Sequence, residues 1–218
     1  MEKVYKVKID SPSISRVLNT VEIFDKSMDD EDYYEDTEFD NCDFYGPSAE
    51  HTEFKGCRFK GCNLSESRLR NIELTDVIFE NCDLSNSDFS YGIIHRVSFR
   101  NCKMTGVNFA EATMQNITIS DCSGSYSNFA FSHIKNMDIK ESNFSEVSFE
   151  QCSVKNIYLD NVNFIRADIS KATFKGTDFT TCDIQGIIAD VRDLKGIVVN
   201  PMQALSLTAL LGIIIKDN

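Results

Sequence analysis

Residues 81–89 read Asn-Cys-Asp-Leu-Ser-Asn-Ser-Asp-Phe and set the pattern of most of the chain. A large apolar side chain stands at every fifth position, and a small side chain stands two residues before it. The pattern continues in both directions, from residue 39 to residue 199, without an insertion or deletion. A period this short and this regular predicts a solenoid, in which similar turns stack along one axis.

A five-residue apolar period fits neither an α-helix nor a flat β-strand. We therefore expect a chain that turns a corner every five residues, with the large and the small apolar positions directed inward and the polar positions directed outward. At the usual spacing of ~4.8 Å between strands, about eight stacked turns would form a rod of roughly 40 Å.

The cysteines share this phase, because all eight stand at the small inward position. Six of them are separated by twenty residues or a multiple of twenty: Cys42, Cys62, Cys82, Cys102, Cys122 and Cys182. This spacing predicts four sides to each turn. We expect the thiols to be buried and reduced, as small core residues in a reducing compartment. Disulfides between stacked cysteines are a second interpretation, and a metal site is less favoured because no CxxC pair is present.

Residues 41–44, 61–64, 81–89 and 171–179 combine a small residue, a polar residue and a Phe or Leu in the same order. These stretches resemble the A(D/N)LXX unit of the pentapeptide repeat proteins. The resemblance implies an all-β fold, a right-handed quadrilateral β-helix, which we expect over residues 34–199. The handedness follows from the resemblance alone.

The net charge of −12 is concentrated in residues 22–43, which hold eleven acidic residues and one lysine. The densest part is the run Asp-Asp-Glu-Asp at residues 29–32. One interpretation is a solvated segment that also protects the exposed edge of the solenoid from pairing with another chain. The other is a negative surface that competes with nucleic acid for a basic groove. Direct nucleic-acid binding is disfavoured for so acidic a chain.

At the amino terminus, Val4, Val7 and Ile9 predict a short strand, whereas residues 13–18 show no clear pattern. Residues 1–33 are expected to form a cap and acidic lead-in segment, because a solenoid needs a cover over its open end. The chain shows no signal peptide and no apolar run long enough to span a membrane. We therefore expect a cytoplasmic protein.

The carboxyl terminus predicts a short helix over residues 202–211, with Asn200 as its N-cap, Pro201 at its first position and Gly212 as its stop. Residues 213–215, three isoleucines, predict a short apolar strand. The helix is too apolar for a lone helix at a rod end, so it either plugs the last turn or joins a partner. A twofold dimer is the assembly that such a patch favours. Residues 200–218 are thus interpreted as a dimerisation module, with these contacts: Met202, Leu205, Leu207, Leu210, Leu211 and Ile213.

The tail, through residues 194–197, 203–204 and 210–213, resembles the end of the Qnr quinolone-resistance proteins. In that family the tail holds a rod-like dimer that binds DNA gyrase and topoisomerase IV. Qnr proteins of Gram-negative bacteria carry loops that break the five-residue phase, and this chain does not. Two stretches, residues 46–51 and 123–126, lack the large apolar residue that the pattern expects. These two weak stretches could bulge, but they add no residue.

No sequence motif for catalysis is present: the chain lacks a phosphate-binding loop, an HExxH motif and a nucleophile elbow. His51, His95 and His133 fall at outward positions of different columns. The sequence therefore predicts no enzyme, no cofactor and no metal site.

The resemblance implies a homodimeric binding protein that engages DNA gyrase or topoisomerase IV and protects it from fluoroquinolones, and the acidic surface suggests that it does so by mimicking the charge of DNA. The acidic surface expected to contact the enzyme comprises Asp138, Asp160, Asp178 and Asp183. Immunity against a peptide toxin of topoisomerase is the first alternative, a scaffold with an unrelated partner is the second, and an enzyme is the last.

Overall fold

The computed structural model describes residues 8–22, 28–44, 46 and 48–216. Short strands stack into a rod that ends in a helix and a 3₁₀ turn. The elements are β1 (Asn19–Val21), β2 (Tyr33–Glu35), β3 (Thr37–Asp40), β4 (Glu53–Lys55), β5 (Arg58–Lys60), β6 (Glu73–Glu80), β7 (Ile93–Arg100), β8 (Thr113–Ser120), β9 (His133–Lys140), β10 (Ser153–Asp160), α1 (Pro201–Leu207) and the 3₁₀ turn Thr208–Leu211.

From β2 to β9, every strand pairs in parallel with the chain twenty residues further on, and β10 pairs with β9 before it. Phe79 of β6 lies opposite Phe99 of β7, and isolated bridges such as Asp83 with Lys103 continue the register on the other sides. The result is an all-parallel β-solenoid of about seven turns with one short carboxyl-terminal helix. The predicted fold class and its twenty-residue turn are confirmed, and the rod has about seven turns rather than the eight expected.

The corners come from a left-handed backbone at every fifth residue. Asn81 has φ 57° and Asn86 has φ 56°, and the same sign recurs at the equivalent positions along the rod. Asn, Asp and Gly tolerate this conformation best, which explains their frequency there. The eight-residue strands bend at the same phase, at Asp76 in β6 and Arg96 in β7, so each of them covers two sides of the rod.

The core consists of the two inward ladders that the sequence predicts. Phe39, Phe59, Phe79 and Phe99 are buried and stack with ring centroids 4.8, 4.7 and 5.1 Å apart. These distances match the spacing between strands, so each ring packs on the equivalent ring of the next turn. The favourable ring geometry is therefore repeated along the rod.

The two weak stretches keep the register. At the inward position of Gly124, an added Cβ would overlap the ring of Phe144, so the neighbouring turn fills the missing volume. The Gly124 amide still donates to Asn143 at 2.7 Å. Ala49 is buried in the other stretch, and its amide donates to Arg68. Neither stretch forms a loop in the residues described, which exclude position 47.

The amino-terminal segment does not simply cover the rod end. The predicted strand at Val4 and Val7 lies outside the described residues. Strand β1 pairs with β3 and adds one rung to the first turn. The residues before β1, in contrast, lie along the side of the rod, where the Ser13 amide donates to Asp76.

All eight cysteines are buried and free, which confirms their inward assignment. Their thiols are held away from solvent, and burial raises the pKa of Cys57 and of Cys152 to about 11. Both effects keep the reactive thiolate of Cys57 and Cys152 scarce near neutral pH.

We expect a thiol reagent at pH 7.5 to label few of the eight cysteines in the native protein and all of them after denaturation. Counting modified sites by intact mass before and after adding denaturant measures this. Rapid labelling of Cys82 or Cys102 in the native protein would contradict the buried assignment.

Candidate interaction surfaces

The carboxyl-terminal helix closes the last turn of the solenoid through one buried glutamine. The Gln203 side-chain amide donates to the carbonyls of Phe179 and Cys182 at 2.8 and 2.7 Å. Its Oε1 accepts from the Asn200 amide, while the Asn200 side chain accepts from the Gln203 amide. This reciprocal capping box satisfies free groups of both the helix and the rod end. The sequence predicted the cap but not the part played by Gln203, which its position three residues after Asn200 signals.

The apolar residues of the helix divide between a plug and an exposed rim. Leu207 and Leu210 pack against the core, so they belong to the plug. The exposed side chains form what we call the tail rim: Met202, Leu205, Leu211, Ile213, Ile214 and Ile215. Met202 is 72% exposed and Ile214 is 86% exposed. The plug interpretation thus applies to Leu207 and Leu210, whereas the tail rim is left exposed in the single chain.

The predicted strand at residues 213–215 is wrong for the single chain. These isoleucines pair with no strand in the described residues, because the rod end beside them is already closed by α1. An adjacent groove of about 460 Å³ is lined by Val191, Leu194, Ala204 and Leu211, among others. Unpaired isoleucines beside an apolar groove form a surface that a second chain can cover.

The four predicted acidic contacts lie on two sides of the rod. Asp138 in β9, Asp160 at the end of β10 and Asp178 one turn later share one side. Asp183 bridges to Asn163, beyond the corner at Asn161, and so lies on the next side.

Their charges also differ in availability. The carboxylate of Asp138 pairs with the Lys140 ammonium at 2.7 Å, so its charge is largely compensated. Asp160, Asp178 and Asp183 form no ion pair among the described residues. Asp178 and Asp183 each accept the backbone amide two residues later, the local bond expected of an aspartate at a turn.

Ion pairs between successive turns neutralise much of the remaining surface charge. Glu35 pairs with Lys55, Glu38 with Arg58 and Asp40 with Lys60, each across twenty residues. Part of the acidic stretch at residues 22–43 is therefore compensated locally. Glu35, Glu38 and Asp40 are thus compensated, whereas Asp160, Asp178 and Asp183 are not.

The histidines and cysteines show no arrangement for chemistry. His51, His95 and His133 stand in three different columns, and burial lowers the pKa of His95. Within the described ranges, no three His, Cys, Asp or Glu side chains are grouped to hold a metal ion. Nor does any helix there have the length and apolarity needed to cross a membrane.

Comparison with known protein families gives two matches. The model of the pentapeptide repeat region matches residues 34–91 and 72–143. The model of pentapeptide repeats in eight copies matches residues 142–180. No curated protein matches the chain.

Solved structures with a similar chain path include HetL, a pentapeptide repeat protein involved in heterocyst differentiation regulation from the cyanobacterium Nostoc sp. strain PCC 7120. It is 15% identical over 80% of this chain and 92% of its own, with a TM-score of 0.45. Another is QnrB1, a plasmid-mediated fluoroquinolone resistance protein. A trypsin-treated form is 27% identical over 92% of this chain and 98% of its own, with a TM-score of 0.37. The full-length form is 24% identical over 90% and 97%, with a TM-score of 0.34.

Proposed function

The chain belongs to the pentapeptide repeat family, and we propose that it is a Qnr-like binding protein, a homodimeric rod that engages DNA gyrase or topoisomerase IV and protects it from fluoroquinolones. It would act by binding alone, without a cofactor, a metal or direct contact with nucleic acid. A topoisomerase partner implies a cytoplasmic site of action.

The observation that carries the proposal is the tail rim, which remains exposed after the plug has closed the rod. Gln203, Leu207 and Leu210 contact the rod end, whereas Met202, Leu205 and Leu211 stay exposed in the single chain. Exposed apolar residues grouped at one end favour association, and a twofold axis would let the same patch serve both copies. The sequence of this segment is also the part that resembles the Qnr proteins.

The uncompensated acids support the choice of a basic, DNA-binding surface as the target. Asp160 and Asp178 lie within the last turns of the rod. A twofold axis at the tail would place these aspartates from the two copies on one continuous acidic surface. Such a surface would be attracted to the groove in which a topoisomerase holds DNA, and the attraction would raise the rate of association. Asp138 contributes less to it, because Lys140 already compensates its charge.

We expect the combined substitutions Asp160→Lys, Asp178→Lys and Asp183→Lys to weaken binding to gyrase about tenfold, because three exposed attractions become repulsions. Immobilised gyrase and topoisomerase IV, titrated with the rod at several salt concentrations, provide the measurement. The wild-type protein should bind at micromolar concentration or below. Raising the salt should weaken its binding, since exposed charges are screened within ~8 Å at physiological ionic strength.

The matched control reverses three acids at the opposite end of the rod: Glu22→Lys, Asp29→Lys and Glu31→Lys. Both triple variants carry the same net charge, so only the location of the acids differs. The control should bind nearly as well as the wild type. Equal weakening by both variants would reject the assigned surface, and no binding of the wild type to either enzyme at low salt would favour the scaffold function instead.

A further inference from the structure

The residues that precede β1 form an arm on the side of the rod, defined here as residues 9–13. The Ser13 amide donates to Asp76 Oδ1 at 2.9 Å, and the Asn116 side-chain amide donates to Asp10 Oδ2 at 3.5 Å. Asp76 and Asn116 are two turns apart, or about 10 Å along the axis at the usual strand spacing. Three residues of extended chain span about the same length, so the arm runs extended along the rod axis.

Differences in burial between equivalent side chains show that the arm covers part of the rod surface. Asn116, Asn136 and Asn156 occupy the same corner position on three successive turns, joined by amide hydrogen bonds of 2.9 and 3.0 Å. Asn116, which contacts the arm, is 3% exposed, whereas Asn136 is half-buried and Asn156 is exposed. Ser98 also points outward and is 7% exposed. The three asparagines have the same backbone position, so the arm that covers Asn116 explains why this side chain is more buried than those of Asn136 and Asn156.

The covered strip has the chemistry of a site for a carboxylate. The Arg96 guanidinium lies between Asp76 and Asn116 in the column, and it makes two hydrogen bonds of 2.6 Å to the Asp76 carboxylate. Although burial opposes ionisation, these bonds hold the pKa of Asp76 below its usual value. Arg96 and the Asn116 amide together offer positive charge and a donor to the Asp10 carboxylate.

The arm fills this strip incompletely. A cavity of about 340 Å³ remains between Ser11 and Pro12 on one side and Ile78, Arg100 and Asp138 on the other, among others. One carboxylate oxygen of Asp138 is buried without a hydrogen-bond partner among the described residues. The cavity therefore has room for larger side chains and for a donor that the arm does not supply.

The geometry points to a peptide-binding groove along the corner formed by Asp76, Arg96 and Asn116, which takes an extended segment carrying an acidic residue. Residues 9–13 are its built-in occupant, and they hold the groove closed until a better-fitting acidic peptide displaces them. The arm is held by the hydrogen bonds at Ser13 and Asp10 and by half-buried side chains at Ile9 and Pro12. Because so few contacts hold the arm, it can detach locally without unfolding of the rod. This inference does not depend on the identity of the proposed enzyme partner.

The test uses the full chain and a fluorescein-labelled peptide with the sequence of residues 8–16. In the wild type the tethered arm competes with the peptide at high effective concentration. The substitution Asp10→Lys in the protein weakens the arm, because it places a second cation beside Arg96. We expect the Asp10→Lys protein to bind the peptide roughly fivefold more tightly than the wild type, as measured by fluorescence anisotropy. A peptide that itself carries Asp10→Lys should bind neither protein.

Glu22→Lys is the matched control, because it makes the same charge change at an exposed position outside the arm. It should bind the peptide as the wild type does. Equal affinity for all three proteins, or no binding to any of them, would overturn the proposal. A second measurement on the wild type needs no variant: the Ser13 amide should exchange with solvent more slowly than the Ser11 amide, and equal rates would overturn the docked arm.

Discussion

The substitution Phe99→Asp is expected to abolish folding. Phe99 is fully buried, stacks on Phe79 with centroids 5.1 Å apart, and lies edge-on to Phe109 at 6.1 Å. Removing its ring alone would cost about 3–5 kcal/mol. An unpaired carboxylate in the same place adds several kcal/mol more. The sum reaches the total stability of a typical domain, about 5–15 kcal/mol, so circular dichroism should show no cooperative unfolding transition.

Phe131→Asp is the matched control for this experiment. Phe131 occupies a corner position with φ 61° and is 48% exposed, and an aspartate tolerates that conformation better than a phenylalanine does. We expect this variant to fold with a melting temperature close to that of the wild type. A soluble, cooperatively folded Phe99→Asp protein would contradict the inward assignment of the large ladder.

The second large effect concerns the tail rim. The combined substitutions Met202→Lys, Leu205→Lys and Leu211→Lys should convert the proposed dimer to a folded monomer, because six cations would face one another across the proposed twofold interface. The plug made by Gln203, Leu207 and Leu210 is left intact, so the rod end stays closed. Light scattering after size-exclusion chromatography measures the mass of the particle.

Two further variants separate assembly from folding. Removing residues 200–218 should also give a monomer, but one that aggregates, because the last turn loses Gln203 and its apolar cover. The control Tyr91→Lys, Ile93→Lys and Tyr126→Lys changes three exposed apolar residues far from the tail and should remain dimeric. If the rim variant stays dimeric instead, the interface lies elsewhere on the rod.

Those parts of the structure that repeat could be predicted from the sequence. The inward position of Phe99, the burial of Cys102 and the four-sided turn follow from a period that no residue interrupts. The cap at Asn200 was also predictable, because it depends on bonds between residues three apart.

Features that depend on contacts between distant parts of the chain were not predictable. The path of the arm is set by bonds from Ser13 to Asp76 and from Asn116 to Asp10, across 63 and 106 residues. The charge of the Asp138 carboxylate is compensated only because of the rotamer of Lys140. The pattern of inward and outward positions in the sequence does not reveal that rotamer. The strand predicted for residues 213–215 failed because apolar, β-branched residues indicate a capacity to pair but supply no partner.

A gyrase supercoiling assay with ciprofloxacin, titrated with the purified rod, tests the proposed function most directly. Supercoiling is measured on relaxed plasmid by gel electrophoresis, with the drug at a concentration that leaves little activity. The proposal predicts that low doses of the wild-type rod partly restore supercoiling. The Asp160→Lys, Asp178→Lys, Asp183→Lys variant should restore less at the same dose. Supercoiling that stays at the drug-inhibited level, or only falls further, at every dose of a folded and dimeric rod would contradict it.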